Sequence, residues 1–287
     1  MLLSSKVGRA SAMGDVLSPF MEQLVLFVIF AVFGTALLFF LLTLYKKLRR
    51  LKRNKKKTLY QISVENVLFK YLFEDLSVQQ ALENPDYLQM QADPLFKRVA
   101  IKTIISLHKN YSGTYSRKLE LFFEESRLVN YSIGKLESSR WPYIVEGIRD
   151  LSTLNHKPSY SRIASRIIHP HDLVKTEVLI ALIKMRGIEE IMKFQNTGLQ
   201  LNDWIQSSIL YTIKKHKIPP PANFGLMLKS RNETLILLAV RLISYYGTTE
   251  FETELMEISR QCKSLKLKTE ISGLLSKTET IIQDDGQ

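Results

Sequence analysis

The chain has 287 residues, with 40 Lys/Arg against 28 Asp/Glu, a net charge of +12 and 45% apolar or aromatic residues. That apolar share is too high for a disordered chain, and the one cysteine, Cys262, excludes an intrachain disulfide framework. A basic balance alone suggests a nucleic-acid partner, so the position of the excess charge decides its meaning.

Residues 1–23 are short of periodic apolar pattern and read as a loose external N-terminal tail. Leu24 to Tyr45 follows without one formal charge over 22 residues. An apolar helix of about 20 residues matches the roughly 30 Å hydrocarbon core of a bilayer. A helix also closes its own backbone hydrogen bonds, which lipid cannot do for it. The spacing therefore predicts a single transmembrane helix over 24–45. A secretory signal would have an apolar core of about 7–15 residues and a small-residue cleavage site, whereas this run is longer and ends in a basic block.

That block, the juxtamembrane segment 46–57, holds Lys46, Lys47, Arg49, Arg50, Lys52, Arg53, Lys55, Lys56 and Lys57, against Lys6 and Arg9 before the span. The positive-inside rule puts everything after the span in the cytoplasm, and the nine cations are expected to contact anionic lipid at the inner leaflet. A plain topology determinant explains them as well. Without residues 1–57 the chain has 29 basic and 26 acidic residues, a net of +3. The excess charge thus belongs to the collar, and nucleic acid becomes an unlikely partner for the remainder.

Residues 58–139 read as the helical N-terminal part of the cytoplasmic domain, with helical spacing and no useful strand alternation. Ser63 would open a helix with the face Val64, Val67, Leu68, Tyr71 and Leu72. Pro94 suits the first turn of another, with the face Phe96, Val99, Ala100, Ile104 and Leu107. One amphipathic stretch runs from Ser116 to Tyr131, and Asn84-Pro85-Asp86 and Tyr111-Ser112-Gly113 read as turns.

Over 140–280 a step of 31 residues appears. Positions 174, 205, 236 and 267 are Val, Ile, Ile and Leu, and 178, 209, 240 and 271 are Val, Ile, Val and Ile. Positions 182, 213, 244 and 275 are Leu, Ile, Ser and Leu, and a less exact copy precedes them in Ile144, Ile148 and Leu151. Val174-Lys-Thr-Glu177 and Leu267-Lys-Thr-Glu270 share a pattern three steps apart. An i, i+4, i+8 row is one helix face, and Tyr160–Ile168, Ile188–Phe194, Phe224–Leu228 and Phe251–Ile258 can supply its cover. Asp172, Asn202 or Asp203, and Asn232 stand where helix caps are needed, and Gly187, Gly198 and Gly247 where helices end. Pro219-Pro220-Pro221 would end one helix and lead into the next. Residues 281–287 are left as a C-terminal tail.

His169 to Ile183 and Asn232 to Ile243 resemble HEAT-type helical repeats of the short class of about 30 residues. Asp172, Lys175 and Ala181 match the family's Asp before the helix, basic residue near its start and small residue within. Asn232 and Ala239 are similar out of strict register, and the basic position there is Leu235 or Leu237. With the apolar span, the architecture is similar to bacterial membrane-anchored HEAT-repeat proteins. The resemblance implies an all-α, armadillo-type α-solenoid of stacked helix pairs after a single transmembrane helix, in a bacterial inner membrane with the C-terminal domain cytoplasmic.

Candidate chemistry is sparse. His169, His171 and Asp172 could reach one Zn²⁺, but an inter-repeat turn accounts for them. Cys262 has no partner His marked nearby. No GxxxxGK[ST] or GxGxxG phosphate loop occurs, and Glu124-Glu125 and Glu189-Glu190 read as solvated faces. Tyr211, Lys214, Lys215, His216 and Lys217 fit a basic helix C-terminus better than a nucleic-acid stripe. No catalytic, metal or cofactor residues are assigned and no small-molecule substrate is evident. The expectation is a bitopic scaffold or adaptor, not an enzyme, that binds membrane-associated protein partners through the solenoid surface. A membrane-tethered enzyme or enzyme subunit with a concave-face site, and a membrane-bound nucleic-acid-binding HEAT protein, are the alternatives.

Overall fold

A computed structural model describes residues 4–74, 76–195 and 198–284, with side chains from Met21 to Ser276 apart from position 22 and those gaps. Helix occupies 81% of the chain, and no strand occurs among the described residues, which is the all-α class expected. The α-helices are α1 (Ser4–Phe73), α2 (Val78–Leu82), α3 (Pro85–Met90), α4 (Pro94–Asn110), α5 (Thr114–Glu125), α6 (Leu128–Leu136) and α7 (Trp141–Thr153). They continue as α8 (Tyr160–Ala164), α9 (Asp172–Arg186), α10 (Asp203–His216), α11 (Phe224–Leu228), α12 (Glu233–Tyr246), α13 (Glu252–Gln261) and α14 (Leu265–Asp284). Two compact units result, Met1–Ser63 and Val64–Gln287.

The first unit is helical from Ser4, so the loose tail expected over 1–23 is corrected from that residue on, while 1–3 lie outside the described residues. Ser63 does not start a helix either, because α1 runs through it. From Thr35 to Asn84 the sequence contains neither Gly nor Pro, so nothing breaks propagation through the Lys-, Arg- and Leu-rich turns that favour helix. The apolar side chains of 24–45 are exposed, Phe27 at 71% and Phe30 at 72%. Thr35 and Thr43 turn their hydroxyls back onto the carbonyls of Val32 and Phe39, both at 2.8 Å, which hides the only two polar side chains from Leu24 to Leu44.

In the second unit the expected faces are buried. Val64, Val67, Leu68, Tyr71 and Leu72 go inside, as do Phe96, Ala100 and Ile104 of α4, whose Pro94 follows the N-cap Asp93. Asn84 accepts from the amides of Asp86 and Tyr87 and starts α3. The stretch Ser116–Tyr131 is two helices, α5 and α6, broken at Arg127 with a left-handed φ of 58°. Leu128, nine residues after Leu119, lies half a turn away on a 3.6-residue helix, and both are buried. A break lets each face find its own cover.

The step of 31 residues corresponds to the starts of the long helices α9, α10, α12 and α14 at residues 172, 203, 233 and 265. Val174, Val178, Leu182, Ile205, Ile209, Ile213, Val240, Leu267 and Ile271 are buried, whereas Ser244 is exposed. Among the long helices α7 packs on α9, α9 on α10 and α12 on α14, while α10 and α12 are not closely packed. The cover segments are short. Tyr160–Ile168 splits into α8 and a 3₁₀ turn, and Ile188–Phe194 is 3₁₀ throughout.

The repeated tetrapeptide has a repeated role. Arg149 of α7 pairs with Glu177 of α9, and Arg241 of α12 pairs with Glu270 of α14 at 2.6 Å. Thr176 and Thr269 each donate to the carbonyl four residues back, Asp172 and Leu265. Arg241 also donates to Asp203 and Gln206 of α10, so one guanidinium ties three long helices. Gly147 marks a close crossing of α6 and α7, since a Cβ there would lie 2.8 Å from the Ser132 carbonyl.

Three further expectations need correction. The N-cap of α9 is His171, whose Nδ1 accepts from the Leu173 amide at 3.2 Å, while Asp172 is the first helical residue and pairs with Lys175. Pro219–Pro221 do not begin a helix, because α11 starts only at Phe224. Glu190 is no solvated carboxylate: it is buried beside Tyr160 and Lys193, both of which donate to it. The caps Asn202 and Asn232 are as expected, and α14 extends through Asp284 into the proposed tail, whose residues 285–287 lie outside the described residues.

Candidate functional site

Side chains of α4, α7, α9 and α10 line one groove of ≈ 1830 Å³ within the second unit. On α9 the lining residues Leu173, Thr176, Glu177, Ile180 and Lys184 fall on one helical stripe. Val145, Glu146 and Arg149 line it from α7, and Trp204, Tyr211 and Lys215 from α10. Trp204 is 52% and Tyr211 64% exposed, unusual for rings this large unless something covers them.

The groove's carboxylates already have partners. Glu146 accepts from Arg98 at 3.1 and 2.6 Å and lies 3.3 Å from the Lys135 ammonium. Burial pushes its carboxyl up, but Arg98 and Lys135 outweigh that and hold it below the usual carboxylate range. Asp150 accepts from Lys135 at 2.6 Å and from Ser132 at 3.0 Å. There burial prevails and raises the carboxyl despite Lys135. Glu177 is held by Arg149.

The cations are differently placed. Lys102, Lys109, Lys157, Lys184 and Lys215 all line the groove, and no ion pair to any of them occurs among the described residues. Lys184 is the deepest. Burial lowers its ammonium pKa, and Lys109, Lys215 and Arg149 lower it further against the opposing pull of Glu177. His216, also lining the groove, is lowered by burial and by Lys184, Lys215 and Lys109. Lys215 lies 5.5 Å from the Tyr211 ring centroid. The arrangement can attract negative charge and offer apolar and aromatic surface beside it.

Of the residues weighed as candidate chemistry from sequence, Tyr211, Lys215 and His216 reach this groove. Lys102, Lys109 and Lys184 were missed because they come from other helices, and only their neighbours in space give them meaning. The nine cations from Lys46 to Lys57 are all exposed on α1. His169 and His171 are engaged with backbone, accepting from the amides of His171 and Leu173, and His171 stacks on Trp141 at 4.2 Å. Cys262 is partly exposed at the end of α13. No group of three or more His, Cys, Asp or Glu suited to a metal occurs among the described residues.

A smaller hollow of ≈ 610 Å³ lies between α12 and α14. Its charged residues are paired, Glu270 with Arg241 and Lys266 with Asp203, so it offers less to a ligand. Comparison of the chain with protein-family models, with curated proteins and with solved structures gives no match.

Proposed function

We propose that the protein is a bitopic membrane scaffold whose helical array docks partner proteins in the groove of α4, α7, α9 and α10. The observation that carries this reading is the groove itself: α4, α7, α9 and α10 line it, and lysines and the exposed rings of Trp204 and Tyr211 lie along it. The repeated Arg–Glu tie and the recurrent long helices support a HEAT-like α-solenoid for residues 140–280, an architecture that builds extended binding surfaces by stacking. The span 24–45 supports an anchor, since its exposed apolar side chains and self-satisfied threonines suit lipid. The basic collar supports a cytoplasmic side for the array and collar contact with anionic lipid, and the resemblance to bacterial membrane-anchored HEAT-repeat proteins favours a bacterial inner membrane.

A photo-cross-linking amino acid in place of Tyr211, in membranes, should capture a discrete partner, whereas one in place of exposed Lys263 should not. Equal capture at the two positions, or none at Tyr211, would sink the docking reading.

A further inference from the structure

Five groove lysines reach the same hollow from α4, α9, α10 and the turn after α7. Every carboxylate that lines it is already matched to Arg98, Lys135 or Arg149. The groove is therefore complementary to added negative charge. Between the cations lie Val145, Ile180, Met185, Trp204 and Tyr211, which are suited to apolar side chains.

We infer that the occupant of this groove is an acidic peptide segment of a partner protein, in which Asp or Glu side chains alternate with apolar or aromatic ones. The inference rests on the docking reading above and deepens it by naming the partner's chemistry. Polyanionic nucleic acid fits less well, because apolar and aromatic side chains and the paired acids Glu146, Asp150 and Glu177 interrupt the row of cations. A phosphate backbone needs a continuous cationic track. A peptide can place its carboxylates at Lys184, Lys109 and Lys215 and its apolar side chains over the three acids' neighbours. Lys184 should anchor it: it reaches the groove beside Lys109 and Lys215 with no ion pair of its own among the described residues, burial and those ammonium groups disfavour its charge more than Glu177 favours it, and a carboxylate arriving there relieves that.

The test uses the full chain in detergent and a fluorescent dodecapeptide of alternating Glu and Leu/Phe, followed by anisotropy. The acidic peptide should bind, and binding should weaken as salt rises. A Gln-for-Glu version should bind at least tenfold more weakly, as should a single-stranded oligonucleotide of equal charge. Lys184→Gln should weaken the acidic peptide at least tenfold, Lys184→Arg should restore most of it, and Lys263→Gln, outside the groove, should have no effect. Unchanged melting temperatures for the variants separate loss of binding from loss of fold. Equal binding of the neutral peptide, tighter binding of the oligonucleotide, or indifference to Lys184→Gln would overturn the inference. Failure of the acidic peptide together with a partner captured at Tyr211 overturns the acidic class alone. An empty cross-link at Tyr211 removes the docking reading beneath it.

Discussion

Leu38 and Leu179 are the same residue in the same secondary structure, yet one is 56% exposed on α1 and the other fully buried in α9. The contrast runs through both units. In residues 64–271 the apolar rows are covered by other helices and turns of the same unit, so burial of roughly 25 cal/mol per Å² is gained inside the protein. In 24–45 the helix satisfies its own backbone and leaves the apolar surface outward on all sides. Helix formation and apolar burial, which cooperate in the array, are separable in α1. The second unit carries its solvent-excluding neighbours with it, whereas the apolar side chains of 24–45 are left exposed.

Polarity should therefore break the two regions by different routes. The largest effect is expected in the array, where Lys135→Met strands Asp150 among buried groups without its cation. Removing one partner of a buried ion pair costs about 3–5 kcal/mol, read as a fall in thermal midpoint. The double variant Lys135→Met, Asp150→Leu should recover part of it, and no recovery would show that the pair is not the source. In 24–45, Leu38→Arg leaves nothing inside the protein unpaired, and on the anchor reading proposed above it costs about 2.5–3.5 kcal/mol in membrane insertion. It should move protein from the carbonate-resistant membrane fraction to the supernatant without lowering the array's midpoint. Gly147→Ala should cost about 1–3 kcal/mol by overpacking, since the new methyl meets backbone at 2.8 Å. A Gly34→Ala change in the span, where nothing lies within 4 Å, should be neutral or slightly stabilising.

Much of this contrast is legible in the sequence, and for a physical reason. An uncharged run and a periodic apolar row are local patterns, so the long helix near 24–45 and the starts of α9, α10, α12 and α14 can be read directly. The caps Asn202 and Asn232 are legible too, because capping acts over three residues. What escapes is long-range. Lys184 looks like an ordinary late-helix lysine until α4 and α10 bring Lys109 and Lys215 beside it. Glu190 looks solvated until Tyr160 and Lys193 enclose it. Ser63 looks like a cap, but a cap matters only where a helix begins, and nothing upstream of it ends one.

The smallest effect expected separates the units by pH. All five histidines lie at or after His108, so none belongs to the span. His156 is the most enclosed of those with a resolved shift: its side chain is 9% exposed, and Nδ1 lies 2.7 Å from the Ser159 hydroxyl. Burial lowers its pKa, more than the Glu124 carboxylate at 3.9 Å raises it. In the unfolded chain the imidazole returns to about 6.5 and takes up a proton first as the solution acidifies. The unfolded state then binds more protons than the folded one, so stability falls as pH drops through about 6.5 and recovers as it rises. His216 and His169, also lowered, act with the same sign. Urea unfolding between pH 7.5 and 5.5 should therefore show a declining midpoint, with a shallower decline in His156→Gln. Parallel declines would assign the effect to the other two rings. On the anchor reading, membrane retention should stay constant over that range, because residues 24–45 contain no His, Asp, Glu or Cys.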